Sequence, residues 1–420
     1  MFVRKICKGG IPAASFPSHD KATHLATLLL AVFLMAFFAH RSSAQDNSPG
    51  IIGYGDLAVT GASGTLAPQG QLPAGASEID ETFINADGAS LKVFDVSDPG
   101  GEPTGELLNA PVKFQALARD IGQVFGLATD DSDKPNIYVG ATSVHGLHIV
   151  VPDADGDGRP ERIKVGQPGA VWMDGQFGTA NDGSPGTIYK VNGENGELSI
   201  FANIGDNSGP GIGNIAYDAK SKQLFASDLD SGLVYRFDME GNNLGFYDHG
   251  IQGRPANGLP ASPDDGSRMD ISSPAFDAED SGTWGLTPPE RRVWGLAVHN
   301  GRLYYAVEDG PQIWSVGIND DGDFSGDPRW ELDVDSDPDA LPVSDIAFQS
   351  SGLMLLSQRG GIASRYDYSR YHTPRKARVM RYRLETPDNP DTPGRWVEKP
   401  DEYAIGFPGN HHNASGGIAI

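Results

Sequence analysis

Between residues 153 and 161 the chain reads DADGDGRPE, with Asp153, Asp155 and Asp157 at alternate positions, Gly158 next, and Glu161 four residues after the third aspartate. Carboxylates are hard oxygen ligands, and one short loop can turn alternate ones inward around a cation of calcium's size. Several carboxylates held in one tight loop also repel one another unless a cation lies among them. Calcium binding is therefore expected here, with a solvated acidic turn as the alternative. The loop is not an EF-hand, because Lys164 stands at the twelfth position where that motif needs glutamate. A second stretch, NDDGDFSGD at 319–327, repeats the spacing through Asn319, Asp321, Asp323 and Asp327, but Phe324 replaces the turn glycine. It reads more simply as an acidic hairpin.

Catalytic patterns are sparse. The chain has no Gly-x-Ser-x-Gly elbow, no HExxH helix and no phosphate-binding glycine loop. The histidines are scattered, and the pair His145 and His148 in HGLH reads equally well as part of an ordinary strand. With 56 acidic against 32 basic residues and a net charge of −24, nucleic acid is excluded as a natural partner. The one cysteine, Cys7, lies near the amino terminus, ahead of the expected cleavage point, so neither disulfides nor thiol chemistry are expected in the mature chain.

Arg4, Lys5, Lys8 and Lys21 precede an apolar run from Leu25 to Phe38 that ends at Ser42-Ser43-Ala44. This is the pattern of a secretory signal peptide cleaved before Gln45, which makes residues 1–44 a leader and 45–420 a secreted, periplasmic or cell-surface domain. No second apolar run is long enough to cross a bilayer, so no membrane span is expected in the mature chain.

Internal repetition indicates what positions the acidic loop. FGLATD, GNIAYD, WGLAVH, SDIAFQ and the terminal GGIAI share a Leu or Ile followed by Ala128, Ala216, Ala297, Ala347 or Ala419. A small residue at a fixed strand position suits a crowded axis where strands of several units converge. Each motif opens a series of short apolar runs separated by turn residues, most clearly from residue 213 to 250. Four strands in roughly 40 to 45 residues make one β-propeller blade. The expected fold is all-β, a propeller of about five or six four-stranded blades. The spacing of the alanines is uneven because of insertions at 145–184 and 250–292. Either the amino-terminal strands complete a blade that GGIAI begins, closing the ring, or the natural chain continues beyond it.

Blades such as LFASDLDSGLVYRFDMEGNNLGFYD resemble those of the NHL and gluconolactonase-like propeller superfamily, and the pattern is similar to that of exported bacterial propeller proteins. That resemblance implies a fold and a compartment. Gluconolactonase-like enzymes hold a divalent ion on the axis, and Asp130, Asn214, Asp218, His299 and Asp345 are possible counterparts; for such acids at strand ends, turn hydrogen bonding is the alternative. The acidic loop resembles the metal loops of integrin-type FG-GAP propellers. This implies side-chain ligands from Asp153, Asp155 and Asp157, a backbone carbonyl from Arg159, and a final carboxylate from Glu161.

Long inserted loops in a compact domain are where specificity resides. Trp172, Asp174, Arg254 and Trp284 lie in them and are types suited to contacting a sugar or a protein surface. The expected function is an exported binding or scaffold protein with a structural Ca2+ loop and a protein or polysaccharide partner. The alternatives are a metal-dependent lactonase-like hydrolase and an adhesive module of a larger surface protein.

Overall fold

Apolar residues alternating over five or six positions make half-buried strands, and the Gly, Asn, Asp and Lys clusters between them turn the chain back. From Ile212 to Asp248 this gives four antiparallel strands paired in sequence order: Ile212–Asp218, Gln223–Asp228, Leu233–Asp238 and Asn243–Asp248. The computed structural model describes residues 50–72, 75–97, 110–153, 156–334, 341–359, 362–369, 377–386, 394–398 and 417. The expected leader at 1–44, Asp155 and the rest of the terminal GGIAI lie outside the described residues.

Three more sheets have the same order. One comprises Val124–Thr129, Ile137–Ala141, Thr187–Val191 and Leu198–Asn203. Another comprises Val293–His299, Arg302–Val307, Gln312–Gly317 and Arg329–Asp333. The last comprises Val343–Phe348, Met354–Gln358, Arg378–Glu385 and Arg395–Glu398. A three-stranded sheet of Asp56–Thr60, Ala89–Asp95 and Val112–Leu117 precedes them.

The core lies between neighbouring sheets. Ala216 and Phe225 of one blade pack with Leu296, Tyr305 and Trp314 of the next, and Ala297 and Tyr304 pack with Ile346 and Leu356 beyond. Sheets stacked face to face around their first strands form a β-propeller.

The first strands approach closely, and the residues two before the repeated alanines show how closely. A Cβ on Gly126 would lie 2.7 Å from the Asn214 Cα, and one on Gly295 would lie 3.0 Å from the Asp345 nitrogen. Ala128, Ala216 and Ala297 pack against residues of the next blade. At this same level the pairing of first with second strand slips in all four blades, between Val124 and Leu127, Ile212 and Ile215, Val293 and Leu296, and Val343 and Asp345. Such bulges re-aim side chains.

In the three-stranded sheet, Thr60 Oγ1 donates to the Phe125 carbonyl at 2.7 Å. Ser227 Oγ, on a second strand, donates to the Trp294 carbonyl at 2.8 Å in the same way. Asp56–Thr60 thus occupies a second-strand place, and no described strand fills the first-strand place of that sheet.

Candidate functional site

In an antiparallel blade, the connection from second to third strand emerges where the first strand begins, as does the connection between blades. The four longest connections use this end. Residues 61–88, 142–186 and 359–377 link second to third strands, and 249–292 links two blades. The opposite end carries mostly tight turns, such as 219–222 and 300–301.

These four segments interlock into a cap. A small sheet of Val171–Trp172, Ile149–Val151 and Glu161–Ile163 forms its centre. The Gly166 N–H donates to the Phe276 carbonyl at 2.9 Å, and the Ala278 N–H donates to the Lys164 carbonyl at 2.8 Å. Arg162 donates to the carbonyls of Ile79 and Tyr366, with its guanidinium 4.0 Å from the Tyr366 ring centre and 4.5 Å from that of Tyr368. The Tyr366 hydroxyl reaches Asp80 Oδ1 at 2.9 Å, and Ser364 Oγ donates to the Leu147 carbonyl at 2.9 Å. Leu147, Ile149, Met269, Phe276, Ala278 and Trp284 form a core that belongs to the cap.

The acidic loop is the hairpin turn between Ile149–Val151 and Glu161–Ile163. Gly156 and Gly158 sit at φ 81° and 84°, the left-handed conformation the turn requires. Asp153 Oδ1 accepts from the Gly158 N–H at 2.9 Å, and Asp157 Oδ1 accepts from the Arg159 N–H at 2.8 Å. Oxygens of Asp153, Asp157 and Glu161 lie within 4.8 Å of one another, with both aspartates exposed. The second acidic stretch differs, because cations of the chain pair with its carboxylates. Asp320 pairs with Lys220 at 2.6 Å, Asp323 with Arg236 at 3.2 Å, and Asp327 with Arg302 at 2.6 Å. Hydrogen bonds from Ser325 and Arg302 hold the Asp327 carboxyl below the usual carboxylate range despite partial burial.

The four expected ligand-contacting residues do not form one site. Trp284 is fully buried in the cap core, and its Nε1 donates to the Asp277 carbonyl at 2.9 Å. Its place in an irregular insertion suggested exposure, but the insertion folds around it. Trp172 is half-buried, edge-on to Phe177 at 5.1 Å. Exposed Asp174 accepts from Thr179 Oγ1 at 2.5 Å. Arg254 donates through Nε to the Pro260 carbonyl at 2.9 Å.

At the axis, two of the five possible counterparts meet. Asn214 Nδ2 donates to Asp345 Oδ1 at 2.9 Å and to the Ser344 carbonyl at 3.0 Å. Gly417, the one described residue of the terminal motif, lies beside this pair, its ideal Cβ 3.8 Å from Asp345 Oδ2. Asp130 and Asp218 instead organise turns at the opposite end, accepting from Ser132 and Asn136, and from Lys220 and Ser221. His299 stacks on Phe348, with ring centres 4.1 Å apart.

Beneath the cap, where the first strands begin, lies a small cavity of about 30 Å³, which together with the open space at its mouth comes to about 450 Å³. Its walls include Phe125, His145, His148, Arg359 and Tyr368. In the sequence the histidine pair reads equally well as part of an ordinary strand, and no local pattern marks Arg359 or Tyr368. His145 sits against the rings of Phe125 and Trp294 at 4.9 and 5.9 Å.

No protein-family model matches the chain, and no curated protein matches its sequence. Solved propellers do resemble it. Virginiamycin B lyase from Staphylococcus aureus is 12% identical, with 84% of this chain and 88% of that one covered and a TM-score of 0.32. A proposed 6-phosphogluconolactonase from Bacteroides fragilis is 11% identical over 85% and 84%, with a TM-score of 0.35. Regucalcin from Agrobacterium tumefaciens, described as a calcium-binding protein, is 10% identical over 63% and 71%, with a TM-score of 0.30. The likeness to these solved structures is one of fold alone.

Proposed function

We propose that this chain is an exported binding protein whose capped propeller face receives a protein or polysaccharide partner, with calcium holding the cap's central hairpin. The observation that carries this reading is the gathering of four long connections onto one end, locked by their own core. Propeller blades spend their repeated residues on packing, so recognition falls to the connections. In the hairpin, Asp153, Asp157 and Glu161 bring carboxylate oxygens within 4.8 Å of one another, a spacing at which a hard divalent cation relieves their repulsion. Asp155 and the Arg159 carbonyl would complete the ligand set.

A lactonase-like hydrolase finds less support, since Asn214 and Asp345 satisfy each other at the axis.

Limited proteolysis tests the calcium role. Cleavage within 142–186 is expected to be slow in calcium and fast in chelator, and Asp157→Ala is expected to cleave fast in both. Identical cleavage of the unaltered protein with and without calcium refutes it.

A further inference from the structure

Most buried or nearly buried arginines of this acidic chain have a carboxylate. Arg236 pairs with Asp323, Arg291 with Asp248, Arg292 with Glu308 and Arg302 with Asp327. Arg359 differs. It follows the second strand of the last blade and lines the cavity beneath the cap, with its guanidinium 5.2 Å from the Phe125 ring centre. Among the described residues it has neither an ion pair nor a hydrogen bond. Arg359 is partly buried; a cation partly removed from water without a counter-charge is costly, and an acidic chain has ample carboxylates with which to satisfy it.

The groups around it are also set for a ligand. His148 is buried, and among the described residues its Nε2 has no hydrogen-bond partner. Burial, followed by the charge of Arg162, pushes this imidazole down to about 3, so it is a neutral hydrogen-bonding group in ordinary buffers. Tyr368 packs on it with ring centres 4.3 Å apart, and holds a left-handed backbone at φ 58°, rare for a residue with a side chain. Its hydroxyl donates to the Thr82 carbonyl at 2.8 Å, fixing the ring. Ile84, Val124 and Phe125 supply an apolar wall.

We propose that this cavity binds a small organic anion, its carboxylate paired with Arg359 and its apolar body lying against Phe125, Ile84 and Val124. A guanidinium presents a planar fork that matches a carboxylate with two parallel hydrogen bonds. The neutral His148 ring is placed to take part in holding the same ligand. The proposal builds on the capped face being the binding face, and it narrows the ligand to a carboxylate, whether of a free acid or of an acidic sugar.

Calorimetric titration of the full chain with benzoate, glucuronate and inorganic phosphate tests this. Saturable binding of benzoate or glucuronate is expected, at least about tenfold tighter than phosphate. The tighter of the two identifies an apolar free acid or an acidic sugar. Arg359→Gln is expected to weaken binding at least about tenfold without lowering the thermal midpoint, because it removes a charge that has no carboxylate partner among the described residues. Arg359→Lys keeps the charge but not the fork and is expected to fall between the two. Tightest binding of phosphate overturns the carboxylate assignment. Absence of binding by the unaltered protein, or equal binding by Arg359→Gln, overturns the site. Loss of calcium protection in the proteolysis experiment would leave this titration unaffected, so the two readings fail separately.

Discussion

Replacing Trp284 by alanine removes the largest side chain of the cap core. The indole is fully buried with Phe276, Leu147, Ile149 and Met269 around it. Truncating a buried tryptophan costs about 3–5 kcal/mol, from lost burial and from the cavity left behind. The Asp277 carbonyl is not orphaned by the change, because Thr283 Oγ1 also donates to it, at 3.1 Å. A value of about 4 kcal/mol is therefore reasonable, and it should fall on the cap before the blades, since local units open with their own free energies. At about 1.4 kcal/mol per factor of ten, cap opening becomes some thousandfold more frequent. Native-state hydrogen exchange reads this directly. The amides of Gly166 and Ala278 bridge two insertions through the Phe276 and Lys164 carbonyls, and their protection should fall by about three orders of magnitude at that cost. Amides of first strands such as Val293–His299 should change little. Unaltered protection at Gly166 and Ala278, or an equal loss throughout the blades, would refute the cap as a unit with its own core.

Asp230 tests the link between cap and blade. Burial holds its carboxyl up at about 6, against hydrogen bonds from Ser208. The folded protein therefore takes up a proton there more readily than the unfolded chain. This penalty, on the order of 3 kcal/mol, is full above about pH 6 and fades toward pH 4. Asp230→Asn should raise the thermal midpoint at pH 7 and give no gain at pH 4; equal gains at both would be inconsistent with a raised pKa.

The blades were legible in the sequence because each is a meander whose strands pair with their immediate neighbours, so alternation and turn residues are enough to write it. The acidic hairpin was legible for the same reason, since nine consecutive residues contain its spacing and its glycines. Some side-chain roles were not. The repeated alanines suggested the crowded axis, yet the closest approach falls two residues earlier, at Gly126 and Gly295, where bulges shift the register. Trp284 looked available because its insertion has no periodicity, and only the docking of that insertion onto 142–186 buries it. The cap and cavity depend on contacts between distant residues, such as Leu147 with Ser364 and Asp80 with Tyr366. Arg359 and His148 become neighbours of one cavity because the second-to-third connections of two blades emerge at the same end of the ring. The local code of strands and turns determined the blades, whereas the cavity is a product of ring geometry, which places together residues that no local pattern relates.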